Sequence, residues 1–148
     1  MFERDSTRIG IIGAGRLAAS LAAALHAAGY GIQAVSSRDE GSARRLAASL
    51  GASPRTGSPS DVAACSDLVF LTVPDAAIAE VAAGTRWSRG QAVVHCSGAF
   101  GLEALEPARA AGAAVGSFHP LQSFSARDGD PRRFHGITCG IEAAGWLS

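Results

Sequence analysis

Gly13, Gly15 and Ala18 stand in the spacing Gly-x-Gly-x-x-Gly/Ala, directly after the apolar run Ile9 to Ile12. In that pattern the first glycine permits a tight turn and the second lets backbone approach a pyrophosphate. The small third residue lets helix and sheet pack closely. The free main-chain amides of Gly15, Arg16 and Leu17, with Ala14 in the same turn, would then face phosphates at a helix N-terminus, where the dipole favours an anion. The spacing alone says little. Here it follows a strand-like run, opens a helical one and starts a strand–helix–strand unit, which is the context the motif requires. A turn that binds nothing, and another nucleotide-bearing ligand such as S-adenosylmethionine, are the competing readings.

The end of the second strand chooses the dinucleotide. A site for NAD places an acid about 20 residues after the glycines, to hold the ribose 2′-hydroxyl. The segment at that place reads AVSSRDE, so Ser36, Ser37 and Arg38 stand where the acid would be. Hydroxyls with a guanidinium suit a 2′-phosphate, which Arg engages with paired hydrogen bonds. Asp39 and Glu40 follow at once and read as first-turn residues of the next helix. The expected cofactor is therefore NADP(H) ahead of NAD(H), with a solvated surface charge as the alternative role for Arg38.

Three further strand ends carry candidates, because ligands of open α/β sheets lie outside the carboxyl ends of the strands. In TVPDAAI, Val73 and Pro74 would lie against the cofactor, and Asp75 reads as a helix cap. In HCSGAF, Ser97 and Gly98 offer a hydroxyl and a close backbone approach near a nicotinamide. His95 points into the sheet, and Cys96 faces the other way, since neighbours on a strand alternate. In GSFHPLQSF, His119 is held extended by Pro120. It either exchanges a proton with a substrate oxygen or is a histidine satisfied by backbone; Gln122 and Ser123 are lesser polar candidates. His26 and His135 read as structural or solvated. No His/Cys/carboxylate cluster has metal-ligand spacing, so no metal is expected.

The elements that must position these groups alternate. Strand-like runs at 9–12, 32–35, 67–73, 91–97, 113–118 and, at the end, 136–142 are separated by Ala-rich helical runs at 17–28, 40–50, 75–83 and 102–111. A short helix capped by Ser60 or Asp61 runs to Cys65, and an unplaced third strand falls within 51–61. Residues 125–133 read as a surface loop. The run DLVFLTV is apolar on both faces, as a strand buried within a parallel sheet must be. The fold class implied is α/β, a doubly wound, mostly parallel sheet of Rossmann-type topology. Residues 1–142 form one domain, and 143–148 are a tail or the start of another.

Composition excludes several classes. The 148-residue chain is 47% hydrophobic and 18% charged, with 13 basic and 13 acidic residues. That supports a core and gives no electrostatic case for nucleic acid or a membrane surface. Every basic residue other than His is Arg; Lys and Asn are absent, so no Lys ammonium or Asn amide of this chain can serve a reaction. Three separated cysteines, no secretory signal and no apolar stretch of ~20 residues lead to the expectation of a cytoplasmic protein with reduced thiols.

Taken together, GIIGAGRLAASLAAAL, VSSRDE, DLVFLTVPDAAIAEVA, VVHCSGAFGLEAL and VGSFHPLQSF resemble the Rossmann-like oxidoreductases that carry a C-terminal helical domain of unknown function. These are cousins of the 6-phosphogluconate, 3-hydroxyisobutyrate and ketopantoate dehydrogenase/reductase superfamily. The resemblance covers nearly all of 8–142. It implies that residues 13–17 hold a pyrophosphate, that Ser37 and Arg38 hold the adenosine ribose or its phosphate, and that Val73 and Pro74 touch the cofactor. Ser97, Gly98 and His119 would face a small-molecule substrate, a keto or hydroxy acid or a related carbonyl or imine. Such enzymes close their cleft, and usually form a homodimer, through a second, helical domain. Better-known cousins draw a Lys, often with an Asn, from that domain. The present chain contains neither and stops about where such a domain would start, so it is expected to be inactive alone. A non-catalytic dinucleotide sensor or scaffold is the alternative, and a methyltransferase is disfavoured by the serines after the second strand.

Overall fold

The computed structural model describes residues 2–51, 53–125 and 129–144. Among these residues seven strands form one sheet: β1 (Arg8–Ile12), β2 (Gly31–Ser36), β3 (Arg55–Thr56), β4 (Leu68–Leu71), β5 (Ala92–His95), β6 (Ala114–Pro120) and β7 (Cys139–Ala144), in the order β3-β2-β1-β4-β5-β6-β7. The first six are parallel and β7 is antiparallel to β6. The order reverses between β1 and β4, which makes the crevice above those two strands the switch point of the sheet.

The helices are α1 (Arg16–Ala27), α2 (Glu40–Ser49), α3 (Pro59–Ala64), α4 (Ile78–Gly84) and α5 (Glu106–Ala110). Single 3₁₀ turns precede α4 and α5, at Asp75–Ala77 and Leu102–Leu105. Two apolar clusters identify the faces they cover. Ile9, Ile11, Val35, Phe70 and Val94 pack with Ala18, Leu21, Ala22, Ala43 and Leu46, placing α1 and α2 on one face. Ile12, Val69, Leu71, Val93 and Val115 pack with Val62, Ile78, Ala82, Leu105 and Ala108, placing α3, α4 and α5 on the other. Alternate residues of a strand serve opposite faces, so β4 must be apolar throughout, as Val69, Phe70 and Leu71 are.

Several local expectations change. The cap of α3 is Ser58, not Ser60 or Asp61: Asp61 N–H donates to Ser58 Oγ at 3.2 Å and Ser58 N–H donates to Asp61 Oδ2 at 2.9 Å. This reciprocal box needs a hydroxyl and an acid three apart, and Pro59 occupies the first helical position, where a missing N–H costs nothing. Asp75 caps nothing; it lies inside the 3₁₀ turn that Pro74 opens. The unplaced strand is β3, two residues paired with Ala34 and Val35. The last strand begins at Cys139 and continues through Ala144, two residues past the expected boundary at 142. Within the polar 125–133 segment, Pro131–Phe134 forms a 3₁₀ turn, and Phe134 packs with Phe118 (6.3 Å between ring centroids) and Phe124 (5.3 Å). Phe118 and Phe124 are therefore cluster members, whereas Leu121 is 59% exposed. No helix among the described residues is long and apolar enough to cross a membrane.

Candidate functional site

Gly13 is fixed by two constraints at once. Its φ is +109°, which side-chain-bearing residues rarely adopt, and a Cβ there would sit 2.7 Å from the carbonyl carbon and oxygen of Thr72. The turn is pinned on both sides: Gly13 N–H donates to Ser36 C=O at 2.7 Å, and Thr72 Oγ1 donates to Gly13 C=O at 2.9 Å. Thr72 also donates, through N–H at 2.8 Å, to Ile12 C=O. Sequence reasoning passed over Thr72. Its signal is a hydroxyl at the end of an otherwise apolar run, DLVFLTV.

Gly15 differs. It is the N-cap of α1, with φ −85° and ψ −163°, an extended conformation open to any residue, and a Cβ there would meet nothing within 4 Å. No side chain caps the helix, and its first bond to the cap is Ala19 N–H to Gly15 C=O at 3.0 Å. The amides of Arg16, Leu17 and Ala18 precede that bond and lack helical acceptors. Ala18 is fully buried against the sheet, while Ala14 and Leu17 are half-buried and Arg16 is exposed. The spacing thus resolves into three different needs: backbone conformation at 13, empty space at 15, helix–sheet contact at 18.

At the end of β2, Ser36 is buried and meets the glycine turn through its carbonyl. Ser37 is half-buried and Arg38 exposed, and neither forms a side-chain hydrogen bond or ion pair among the described residues. Asp39 is fully committed. Its carboxylate accepts from Gly41 N–H (3.1 Å), Ser42 N–H (3.2 Å) and Ser42 Oγ (2.5 Å), with Arg45 at 3.4 Å. The Ser42 hydroxyl, then the Gly41 amide, hold that carboxyl below its ordinary range. The acid nearest the ribose position is therefore the cap of α2, and the free group beside it is a cation.

Val73 is half-buried and Pro74 exposed, immediately after β4 and against the glycine turn, where a Cβ on Gly13 would lie 2.8 Å from Val73 N. Beyond β5, Ser97 is buried and its Oγ accepts from Ala99 N–H at 3.0 Å. His95 is fully buried, as its strand position implies. Cys96 packs among the apolar side chains on the α1 face, and burial pushes its thiol up to about 12. That pair is divided by the sheet, as alternation requires. His119, half-buried near the end of β6, lies against Gly98 and forms no side-chain hydrogen bond or ion pair among the described residues. Gln122 and Ser123 are exposed and bond to each other, Ser123 N–H to Gln122 Oε1 at 2.9 Å. His26 and His135 are exposed.

The strand ends thus gather the glycine turn, Arg38, Val73–Pro74, Ser97 and His119 along one edge of the sheet. The hollows of about 420 and 430 Å³ lie elsewhere, one beside His26, Tyr30 and Arg55, the other over Thr56, Asp61 and Cys65. The uncapped start of α1 and the exposed Arg38, which has no side-chain partner among the described residues, lie instead at the carboxyl ends of β1 and β2.

A family model described as a Rossmann-like domain matches residues 2–120. The chain belongs to that family. The match ends with Pro120, the last residue of β6, so β7 lies beyond it. This Rossmann-like chain is also similar to a Bacteroides fragilis protein assigned as an NADP oxidoreductase, at 31% identity and a TM-score of 0.77 over 98% of this chain and 54% of that one. It shares its fold with a pyrroline-5-carboxylate reductase of Streptococcus pyogenes (17% identity, TM-score 0.73, 96% and 50% of the two chains). It does so too with a reductive aminase of Aspergillus terreus in complex with NADPH (18%, 0.65, 82% and 42%). The chain spans about half the length of these solved structures. No curated protein matches it.

Proposed function

We propose that this chain is the NADP(H)-binding domain of an oxidoreductase acting on a small keto or hydroxy acid or a related carbonyl or imine. The observation that carries the reading is the open side of Gly15 at the uncapped N-terminus of a twelve-residue helix. A diphosphate there would meet unpaired N–H groups and the positive end of the helix dipole. Gly13, Ala14, Gly15, Arg16 and Leu17 hold it, and Val73 and Pro74 line the crevice beyond. Ser37 and Arg38 hold the 2′-phosphate, while Ser36 supports the turn with its carbonyl. The commitment of Asp39 to α2 favours NADP(H) over NAD(H), because its oxygens already accept from Gly41 and Ser42 rather than from a 2′-hydroxyl, and the group left beside them is the Arg38 guanidinium.

When bound, the dinucleotide supplies or accepts the hydride; the protein supplies position and field. His119 offers an imidazole nitrogen with no competing partner among the described residues, placed to donate to a substrate oxygen or nitrogen or exchange a proton with it. Ser97 retains its hydroxyl proton as a donor while its oxygen accepts from Ala99. The family resemblance is what suggests a helical domain that pairs two copies and completes the substrate pocket.

Fluorescence titration of NADPH and NADH against the chain tests the reading. Saturable binding with NADPH tighter is expected; no saturable binding of either refutes it. The rival reading, a dinucleotide sensor without turnover, is separated by assaying a keto-acid and imine panel on the longest natural product of the gene.

A further inference from the structure

The loop after β5 is held between two histidines. His95 is fully buried beneath it and touches both of its ends. Ser97 N–H donates to His95 Nδ1 at 3.2 Å, which leaves the imidazole proton on Nε2, 3.1 Å from Gly101 C=O. One ring thereby spans residues 97–101, accepting at one end and donating at the other. The turn is tightened by Ala99 N–H to Ser97 Oγ at 3.0 Å and by Gly101 N–H to Glu103 Oε1 at 3.1 Å.

The second histidine lies on the other side of the same loop. A Cβ built on Gly98 would fall 2.6 Å from Cδ2 and 2.7 Å from Cε1 of His119, and closer still to Nε2. An in-plane approach to Nε2 would leave both carbons much further away than the nitrogen. The glycine hydrogen therefore points at the ring face, and any side chain at 98 would displace the imidazole. The sequence suggested that Gly98 gives a cofactor close backbone access; here the space beside it is taken by His119.

We infer that Gly98 and His95 are positioning residues for His119: His95 fixes loop 97–101 from below, and Gly98 is the flat seat that sets the plane of the His119 ring. This rests on the oxidoreductase reading for its functional meaning, since a ring aimed at a carbonyl or imine must be held before substrate arrives. The seat itself is a geometric claim about the cofactor-free chain. Neither residue need touch substrate.

Aromatic NMR of the histidine-labelled chain, without cofactor, tests it. One Gly98 Hα should be shifted upfield by the imidazole face and show nuclear Overhauser contacts to the His119 ring. Gly98→Ala should move the His119 signals while the exposed His26 and His135 stay in place. His95→Asn keeps the acceptor for Ser97 and His95→Gln keeps the donor for Gly101, so each should weaken the Gly98–His119 contact partially. His95→Leu should abolish it or unfold the chain, and the two amide variants keep the test decisive if it unfolds. In the complete enzyme, Gly98→Ala should lower kcat at least tenfold with the NADPH Kd changed less than twofold. An unmoved His119 in Gly98→Ala, an unchanged Gly98 Hα shift in both amide variants, or a parallel loss of NADPH affinity would overturn the inference. Failure of NADPH to bind, with the ring contact behaving as described, would instead reject the oxidoreductase reading and leave the seat standing.

Discussion

Two glycines two residues apart do different work, and paired substitutions separate them. Gly13→Ala places a methyl 2.7 Å from the Thr72 carbonyl group in a backbone held at φ +109°. The conformation alone costs about 1–3 kcal/mol, and displacing the end of β4 adds to that. A chain of this size loses roughly 2–4 °C of Tm per kcal/mol, so a fall of several degrees is expected. Gly15→Val is the converse. Its φ of −85° suits any residue and its Cβ meets nothing within 4 Å, so the fold loses only the preference for Gly over Val at an N-cap, about 1 kcal/mol. Bound diphosphate would lose at least one charge-assisted N–H bond, about 1.5–3 kcal/mol, which weakens Kd roughly ten- to a hundredfold. Circular dichroism melts and a fluorescence titration of NADPH read the two quantities on the same samples. Gly15→Val that melts within a few degrees of wild type and binds with a Kd within about twofold of it would refute the assignment of the turn, because nothing else in the fold needs that position empty.

Arg38→Ala should weaken NADPH binding about tenfold or more, the loss of a charge-assisted bond, with little effect on NADH; equal losses for the two cofactors in parallel titrations would show that Arg38 does not read the 2′-phosphate. Native Cys96 should resist alkylation near neutral pH, since burial pushes its thiol up to about 12; peptide mapping after iodoacetamide should find it labelled only after unfolding. The Arg8 guanidinium, bonded to Asp67 at 2.6 Å, holds that carboxyl below the usual range. A depressed acid stabilises the fold above its unfolded pKa, about 3.9, and that contribution is lost as pH falls through the folded value. Urea midpoints should therefore decline below about pH 4, and Asp67→Asn should make that decline shallower. Ser58→Ala should cost about 1 kcal/mol through loss of the α3 cap, read from the same urea curves.

Much of this architecture was written in local pattern. Alternation of apolar runs with Ala-rich helical stretches specifies a parallel sheet covered on both faces, because only strands buried twice can be apolar at every position, as 68–71 are. Gly13, Gly15 and Ala18 carry meaning by spacing, since three requirements of a strand-to-helix turn fall at fixed offsets. Ser36 to Arg38 were legible for the same reason: the strand length places them at its carboxyl end. Where local signals competed, the reading slipped. Ser58, Ser60 and Asp61 are all capping types, and the choice between them depends on where the chain leaves β3, a strand held by only two residues. Residues 131–134 look like loop because Arg and Pro dominate them, yet Phe134 turns inward to meet Phe118, a partner sixteen residues away in sequence.

By itself the sequence determined the sheet, the turn at its switch point and the absence of any Lys or Asn for chemistry, because periodicity and composition are properties of neighbours along the chain. Tertiary structure alone decided that Thr72 pins the glycine turn and that Gly98 lies beneath the His119 ring between β5 and β6. Those are contacts between strand ends far apart in sequence, and a hydrogen bond or a van der Waals surface depends on distance in space, which no spacing of residues records.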